Sequence, residues 1–212
     1  MTVPAEAGGT EVLLLVEDDT ALRDTWAALL ERDGLSVRTA SDAAGALQEA
    51  GRLPRPTLAL LDLGLPPSPG DPRVGLMLLQ QLLLEIPRLK VIVLTGQNEP
   101  AVCWEAIGHG AFDFLVKPAP RATVQQALQR ARLFAASERE LARQGQARLT
   151  VTAPLDEGVR EFGEAAQERL VRSVLEDCGH NVAQAARTLG LSRENLYYFI
   201  RKFGIDRSGA EG

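Results

Sequence analysis

Leu58-Ala-Leu-Leu runs directly into Asp62, and the chain breaks soon afterwards at Pro66. A short apolar run with one carboxylate at its end is the pattern of a strand buried on both faces of a parallel sheet, delivering a reactive side chain to the sheet edge. Three other stretches repeat it. Val12 to Val16 ends in Glu17-Asp18-Asp19, Val91 to Leu94 ends in Thr95-Gly96, and Phe114 to Val116 ends in Lys117-Pro118. Ligands of open α/β sheets bind at the carboxyl ends of the strands, so these four ends predict one site holding acidic groups, a hydroxyl and an ammonium.

Helical patterns separate the runs. Thr20 reads as an N-cap before Leu22, Trp26, Leu29 and Leu30, a face that stops near Gly34. A short strand, Leu35 to Ala40, precedes a helix capped by Ser41 or Asp42 that runs to about Ala50. Leu76, Leu79, Leu83 and Ile86 mark a helix from Val74 to Glu85. A fourth spans Pro100 to His109, and a fifth starts after Pro120 and continues to about Ala142. This alternation predicts a (βα)5, doubly wound, flavodoxin-like parallel sheet with right-handed crossovers.

Composition sets limits. The 212 residues, 45% hydrophobic, suffice for one large domain and one small one. No apolar run approaches the roughly 18 residues of a membrane span, and the amino terminus lacks the basic and apolar regions of a signal peptide, so a cytoplasmic protein with no membrane partner is expected. Cys103 and Cys178 read as buried free thiols. The net charge of −5 excludes a generally basic nucleic-acid binder, but residues 178–207 hold five Lys or Arg against two acids, leaving room for a local surface.

Carboxylates held together repel one another unless a cation intervenes, and magnesium is the hard ion that fills such a half-open oxygen site. Asp62 would attack an incoming phosphate to form an aspartyl phosphate, with Lys117 neutralising the transferring oxygens and Thr95 hydrogen-bonding one of them. These residues, with Ala106, Gly110-Ala111 and Asp113-Phe114 before the lysine, resemble the receiver domain of bacterial two-component response regulators over about residues 11–135. The resemblance implies that Asp62 is the phosphoacceptor and that a sensor histidine kinase is the donor. It further implies Asp18 as a direct Mg2+ ligand, Glu17 as one through water, Gly64 as a backbone-carbonyl ligand, and Phe114 as a switch aromatic that turns inward as Thr95 moves. The Pro66 to Pro72 loop is about five residues longer than that family's usual turn, and it is expected to be a tolerated insertion.

Past the fifth helix the chain loosens, and residues 136–158 read as a linker that extends that helix. Residues 159–206 read as three helices: one with Phe162, Ala166, Leu170 and Val174 on a face, one with Val182, Ala185, Ala186 and Leu189, and one with Leu196, Phe199, Ile200 and Phe203. Gly190-Leu-Ser192 forms the tight turn between the last two. The string from Asn181 to Tyr197, closing in Lys202-Phe-Gly-Ile205, is similar to the Fis-type helix-turn-helix domain. That resemblance implies double-stranded DNA as partner, with Arg193 reaching base edges, Asn195 and Tyr198 touching base or phosphate, and Arg201 and Lys202 holding phosphates. It also implies a homodimer built on Ala165, Leu170, Val174 and Leu175. His180 reads as a polar surface residue. Residues 1–10 and 207–212 read as a disordered terminus and a tail.

The expected protein is therefore a phosphorylation-controlled DNA-binding transcriptional regulator without an ATPase domain between its parts, and not a turnover enzyme. Two other classes compete with it. One is a phosphotransfer or partner-binding signalling protein whose carboxyl-terminal module only dimerises. The other is a magnesium-dependent phosphatase, which would need a second catalytic acid where Gly64 stands.

Overall fold

The structure is a computed structural model that describes residues 11–52, 54–68, 70–96, 100–150 and 158–205. The expectations for the two termini, and for the linker at 151–157, lie outside the described residues.

Five strands form one all-parallel sheet: β1 (Val12–Val16), β2 (Ser36–Ala40), β3 (Leu58–Asp62), β4 (Lys90–Thr95) and β5 (Asp113–Val116), in the order β2-β1-β3-β4-β5. Every residue of β1, β3 and β4 is buried, as a strand covered on both faces must be. Alternate residues divide between two apolar cores. Leu14, Val16, Ala59, Leu61, Val91 and Val93 pack toward α2 (Ala43–Gly51), α3 (Arg73–Glu85) and α4 (Pro100–Gly108). Leu13, Leu15, Leu58, Leu60, Ile92 and Leu94 pack toward α1 (Thr20–Arg32) and α5 (Arg121–Arg143). The doubly wound architecture stands as the sequence indicates.

Capping differs from expectation at the first helix. Asp19 is the N-cap, its carboxylate accepting from Leu22 N–H at 2.9 Å, while Thr20 is already helical. Both residue types make good caps, and Asp19 stands one position nearer the strand. Asp42 caps α2 by the same bond, to Gly45 N–H at 2.8 Å.

Gly75 is needed where α3 crosses the end of β3. A Cβ there would lie 2.4 Å from Leu63 Cα and 2.7 Å from its carbonyl oxygen. The helix therefore presses on the residue that follows Asp62.

Three helices make the second unit: α6 (Gly158–Asp177), α7 (Val182–Thr188) and α8 (Arg193–Lys202). Their core is Val171, Val174, Leu175, Ala185, Ala186, Leu196 and Ile200. Of the residues expected on a dimer surface, Val174 and Leu175 are spent inside the module's own core, Leu170 is half-buried against it, and Ala165 is exposed. Gly190 turns between α7 and α8 at φ +66°, a conformation that favours glycine. Cys103 is buried, but Cys178 is only half-buried at the end of α6. His180 adopts φ +61° and lines a groove between the two units rather than standing free on the surface.

Candidate functional site: an acidic cavity and an open helix

An open cavity of about 350 Å³ lies at the carboxyl ends of β1, β3, β4 and β5. Asp62 ends β3, Glu17 and Asp18 follow β1, Thr95 ends β4 and Lys117 follows β5, so the register that pairs Asp62 with Leu94 and Thr95 with Val116 brings all five together. Asp62 is 7% exposed, Glu17 1% and Thr95 1%.

The Lys117 ammonium lies 2.6 Å from Glu17 Oε2 and 2.9 Å from Asp62 Oδ2, bridging the two carboxylates. Burial works to lower the Lys117 pKa, but the hydrogen bonds and charges of both carboxylates outweigh it and hold the group above its ordinary range. Burial is the largest influence on Glu17 and pushes its carboxyl up, against the hydrogen bond from Lys117.

Oxygens of Glu17, Asp18 and Asp62 lie within 4.8 Å of one another, a set of hard donors that fits a small divalent cation. Gly64 lines the same cavity, and its N–H donates to Asp62 Oδ1 at 3.2 Å. The Thr95 hydroxyl donates to the Gly96 carbonyl at 3.2 Å. Phe114 is half-buried against the core on the α4 side of β5.

Sequence reasoning missed Arg23. From the first turn of α1 its guanidinium donates to the Glu17 carbonyl at 2.7 Å, to the Asp18 carbonyl at 3.3 Å and to Thr20 Oγ1 at 3.2 Å, clamping the acidic turn from behind. The only signal for it was a cation five residues after the acidic pair.

The second candidate surface is α8. Ser192 caps it, accepting from Asn195 N–H at 3.2 Å, and Arg201 and Lys202 suit its carboxyl-terminal dipole. Leu196 and Ile200 face inward, which leaves Tyr198, 55% exposed, at the centre of the outward face. Arg193, Asn195 and Arg201 are exposed around it. Lys202 is exposed but pairs with Glu164 of α6 at 3.2 Å. Two exposed residues beside these went unread in the sequence: Arg187 in the last turn of α7, and Glu194 in the first turn of α8. Hydrogen bonds from its own backbone N–H and from Ser192 hold the Glu194 carboxyl below the usual range, so it is an anion on the outward face.

A flavodoxin-like sheet whose strand ends hold three carboxylates, a hydroxyl and a lysine is the layout of a phosphoacceptor receiver. Residues 13–129 match the family described as response regulator receiver domain, and residues 164–203 match bacterial regulatory protein, Fis family. The photosynthetic apparatus regulatory protein RegA of Rhodobacter capsulatus is 30% identical over 199 residues, covering 93% of this chain and 95% of RegA. The nitrogen assimilation regulatory protein NtrX of Azorhizobium caulinodans is 39% identical over 106 residues, of which the matched part is 50% of this chain but only 22% of NtrX. The crystal structure of the NtrX receiver domain from Brucella abortus superposes with a TM-score of 0.51 at 34% identity, covering 56% of this chain and 96% of that one.

The chain belongs to the two-component response regulators, as a receiver domain followed by a Fis-type DNA-binding module. That architecture is the one of a phosphorylation-controlled, DNA-binding transcriptional regulator.

Proposed function

We propose that Asp62 is the phosphoacceptor of this regulator and that a sensor histidine kinase supplies the phosphoryl group. A carboxylate oxygen of Asp62 attacks the phosphorus of the donor phosphohistidine, the P–N bond breaks, and the imidazole leaves with a proton from solvent. Lys117 shifts from bridging two carboxylates to holding a phosphoryl oxygen, and the Thr95 hydroxyl turns from the Gly96 carbonyl to another. Glu17, Asp18, Asp62 and the Gly64 carbonyl would hold Mg2+, which supplies positive charge beside the transferring oxygens. Phe114 follows Thr95 inward as the switch aromatic. The aspartyl phosphate is the signal and not a turnover intermediate, so the protein is not an enzyme in the ordinary sense.

Two copies then present α8 to the major grooves of an inverted repeat in cytoplasmic DNA, with Arg193 at base edges and Asn195, Tyr198, Arg201 and Lys202 on bases or backbone. The observation that carries this reading is Lys117 held 2.9 Å from an almost wholly buried Asp62, in the same cavity as Glu17 and Asp18.

Capture of genomic fragments on the purified protein, with magnesium and with or without beryllium fluoride as the phosphoryl mimic, tests it. The expected result is enrichment of a two-fold repeat that strengthens with the mimic and disappears in Arg193→Ala. Enrichment of nothing in either state would leave the carboxyl-terminal module a dimerisation unit, the reading that Glu194 on the outward face of α8 favours.

A further inference from the structure

We propose that the groove between the receiver and the Fis-type module binds a small dianion, presented as a phosphate or as paired carboxylates. The groove has a volume of about 280 Å³ and lies at the amino-terminal end of β4, opposite the end that carries Thr95 and the phosphoacceptor. The receiver contributes Lys90 and, from α5, Phe134 and Glu138. The module contributes Arg169 and Ser173 from α6, and Arg148 reaches in from the segment after α5.

The charge of the lining is lopsided. Arg88, Lys90, Arg148 and Arg169 face one carboxylate, Glu138, in a chain whose overall charge is −5. Glu138 is committed to Lys90, with Nζ 2.6 Å from Oε2, and Arg88 is committed to Asp177 at 2.5 Å. Arg148 lies over the Phe134 ring, 4.7 Å from its centroid. Among the described residues neither Arg148 nor Arg169 has a carboxylate within ion-pairing distance. Two guanidinium groups are thus left over in a concave space.

Surplus like charge in a partly desolvated cleft costs free energy that a bound counter-ion relieves, and low-dielectric walls focus the potential on that ion. Burial lowers the pKa of both Lys90 and Arg169, which is the same cost read from the titrating groups. Two surplus cations match two negative charges. Guanidinium forks match the oxygens of phosphate and carboxylate alike, and the buried Ser173 hydroxyl adds a hydrogen-bonding group to the wall. The volume suits an anion on a small body and is too small for a peptide or a nucleic-acid strand. Because the walls come from both units, an occupant ties the module to the receiver.

The test is calorimetric titration of the full chain with sodium phosphate and, separately, citrate. EDTA is present throughout and chloride holds ionic strength constant. Saturable one-to-one binding is expected, weakened at least tenfold in Arg169→Gln and in Arg148→Gln and unchanged in Asp62→Asn. Which anion saturates first tells a phosphate from a carboxylate ligand. Arg148 is exposed, so its variant keeps the test valid if Arg169→Gln fails to fold by circular dichroism. A non-saturable response equal in wild type and both Arg variants would overturn the proposal. So would loss of binding in Asp62→Asn, which would put the anion in the acidic cavity. Displacement of phosphate by a short random DNA duplex, dependent on Arg169, would assign the groove to nucleic acid and also overturn it.

Discussion

Gly75→Ala and Gly163→Ala are the same substitution in two helices, and the structure gives them opposite signs. In α6 a Cβ at Gly163 would meet nothing within 4 Å, so the change collects only the helix preference for Ala over Gly, about 0.5–1 kcal/mol of stabilisation. In α3 the same preference is opposed by a Cβ placed 2.4 Å from Leu63 Cα and 2.9 Å from its carbonyl carbon. Carbon atoms pack at about 3.5–4.0 Å, so helix or strand end must move by more than about 1 Å. The obstacle is backbone, which no rotamer change removes. Overpacking of this kind costs about 1–3 kcal/mol, leaving a net loss of up to about 2.5 kcal/mol after the helical gain. The receiver should melt lower, by roughly 4 °C for each kcal/mol lost. Both tryptophans, Trp26 and Trp104, lie in the receiver, so their fluorescence in a thermal or urea scan reports it, while far-UV circular dichroism follows the helices of both units. Movement of Leu63 also disturbs its neighbour Asp62, so phosphorylation by a small phosphodonor should slow in Gly75→Ala alone. If Gly75→Ala proved as stabilising as Gly163→Ala, α3 would not be pressed against the end of β3 and the account of that corner would fail.

The contact between the units should depend on pH through Glu176, whose carboxyl burial pushes up to about 7 from 4.5. It faces Arg55 and Arg88 of the receiver and has Asp177 and His180 nearby on its own side. Because its docked pKa is raised, its support for docking is complete below about pH 4.5 and is lost as pH rises through about 7, a change on the order of 3 kcal/mol. Burial, and then Arg55, lower the His180 pKa, so His180 acts in the opposite sense, opposing docking only as pH falls below 6.5. Small-angle scattering from pH 5 to 8 should show the chain opening at the alkaline end, and Glu176→Gln should remain closed there. An identical pH response in the variant would contradict this. Arg23→Met should weaken magnesium binding about tenfold or more in calorimetry, since it frees the carbonyls behind Glu17 and Asp18 without touching a ligand oxygen. On α8, Arg201→Ala should lower the salt slope of DNA binding by about one, while Glu194→Gln should strengthen binding at every sequence; equal slopes for wild type and Arg201→Ala would remove Arg201 from the backbone contacts.

The parts of the site made by strand ends were legible in the sequence because β1, β3 and β4 are buried on both faces and so read as unbroken apolar runs with a polar stop. The turn at Gly190 and the cap at Ser192 were legible for a similar reason, each being a local signal with a local cause. What stayed hidden depends on who packs against whom. Arg23 acts through backbone carbonyls, which leave no mark in residue types. Val174 and Leu175 lie on an apolar helix face, and nothing in that pattern tells a module core from a dimer surface. The Lys90, Glu138 and Arg169 cluster joins residues far apart in the chain, so it becomes visible only when the two units meet. Thr20 alone reads as the cap of α1 in the sequence, whereas Asp19, the stronger capping type, accepts from Leu22 N–H one position earlier.

α5 begins four residues after Lys117 and runs unbroken for 23 residues, about 34 Å at 1.5 Å per residue. Val124, Ala127, Leu128, Ala131 and Ala135 line its buried face, and the helix continues about two turns beyond them. A stiff rod that pivots near one end is a lever. A tilt of about 5° at the Lys117 end would swing the far end by about 3 Å, the length of a hydrogen bond. Glu138, whose hold on Lys90 is a single 2.6 Å contact, rides on that far arm. Sub-ångström rearrangement around Asp62 can thus be geared up, by the stiffness of one helix, into a displacement that makes or breaks a bond at the other end of the receiver.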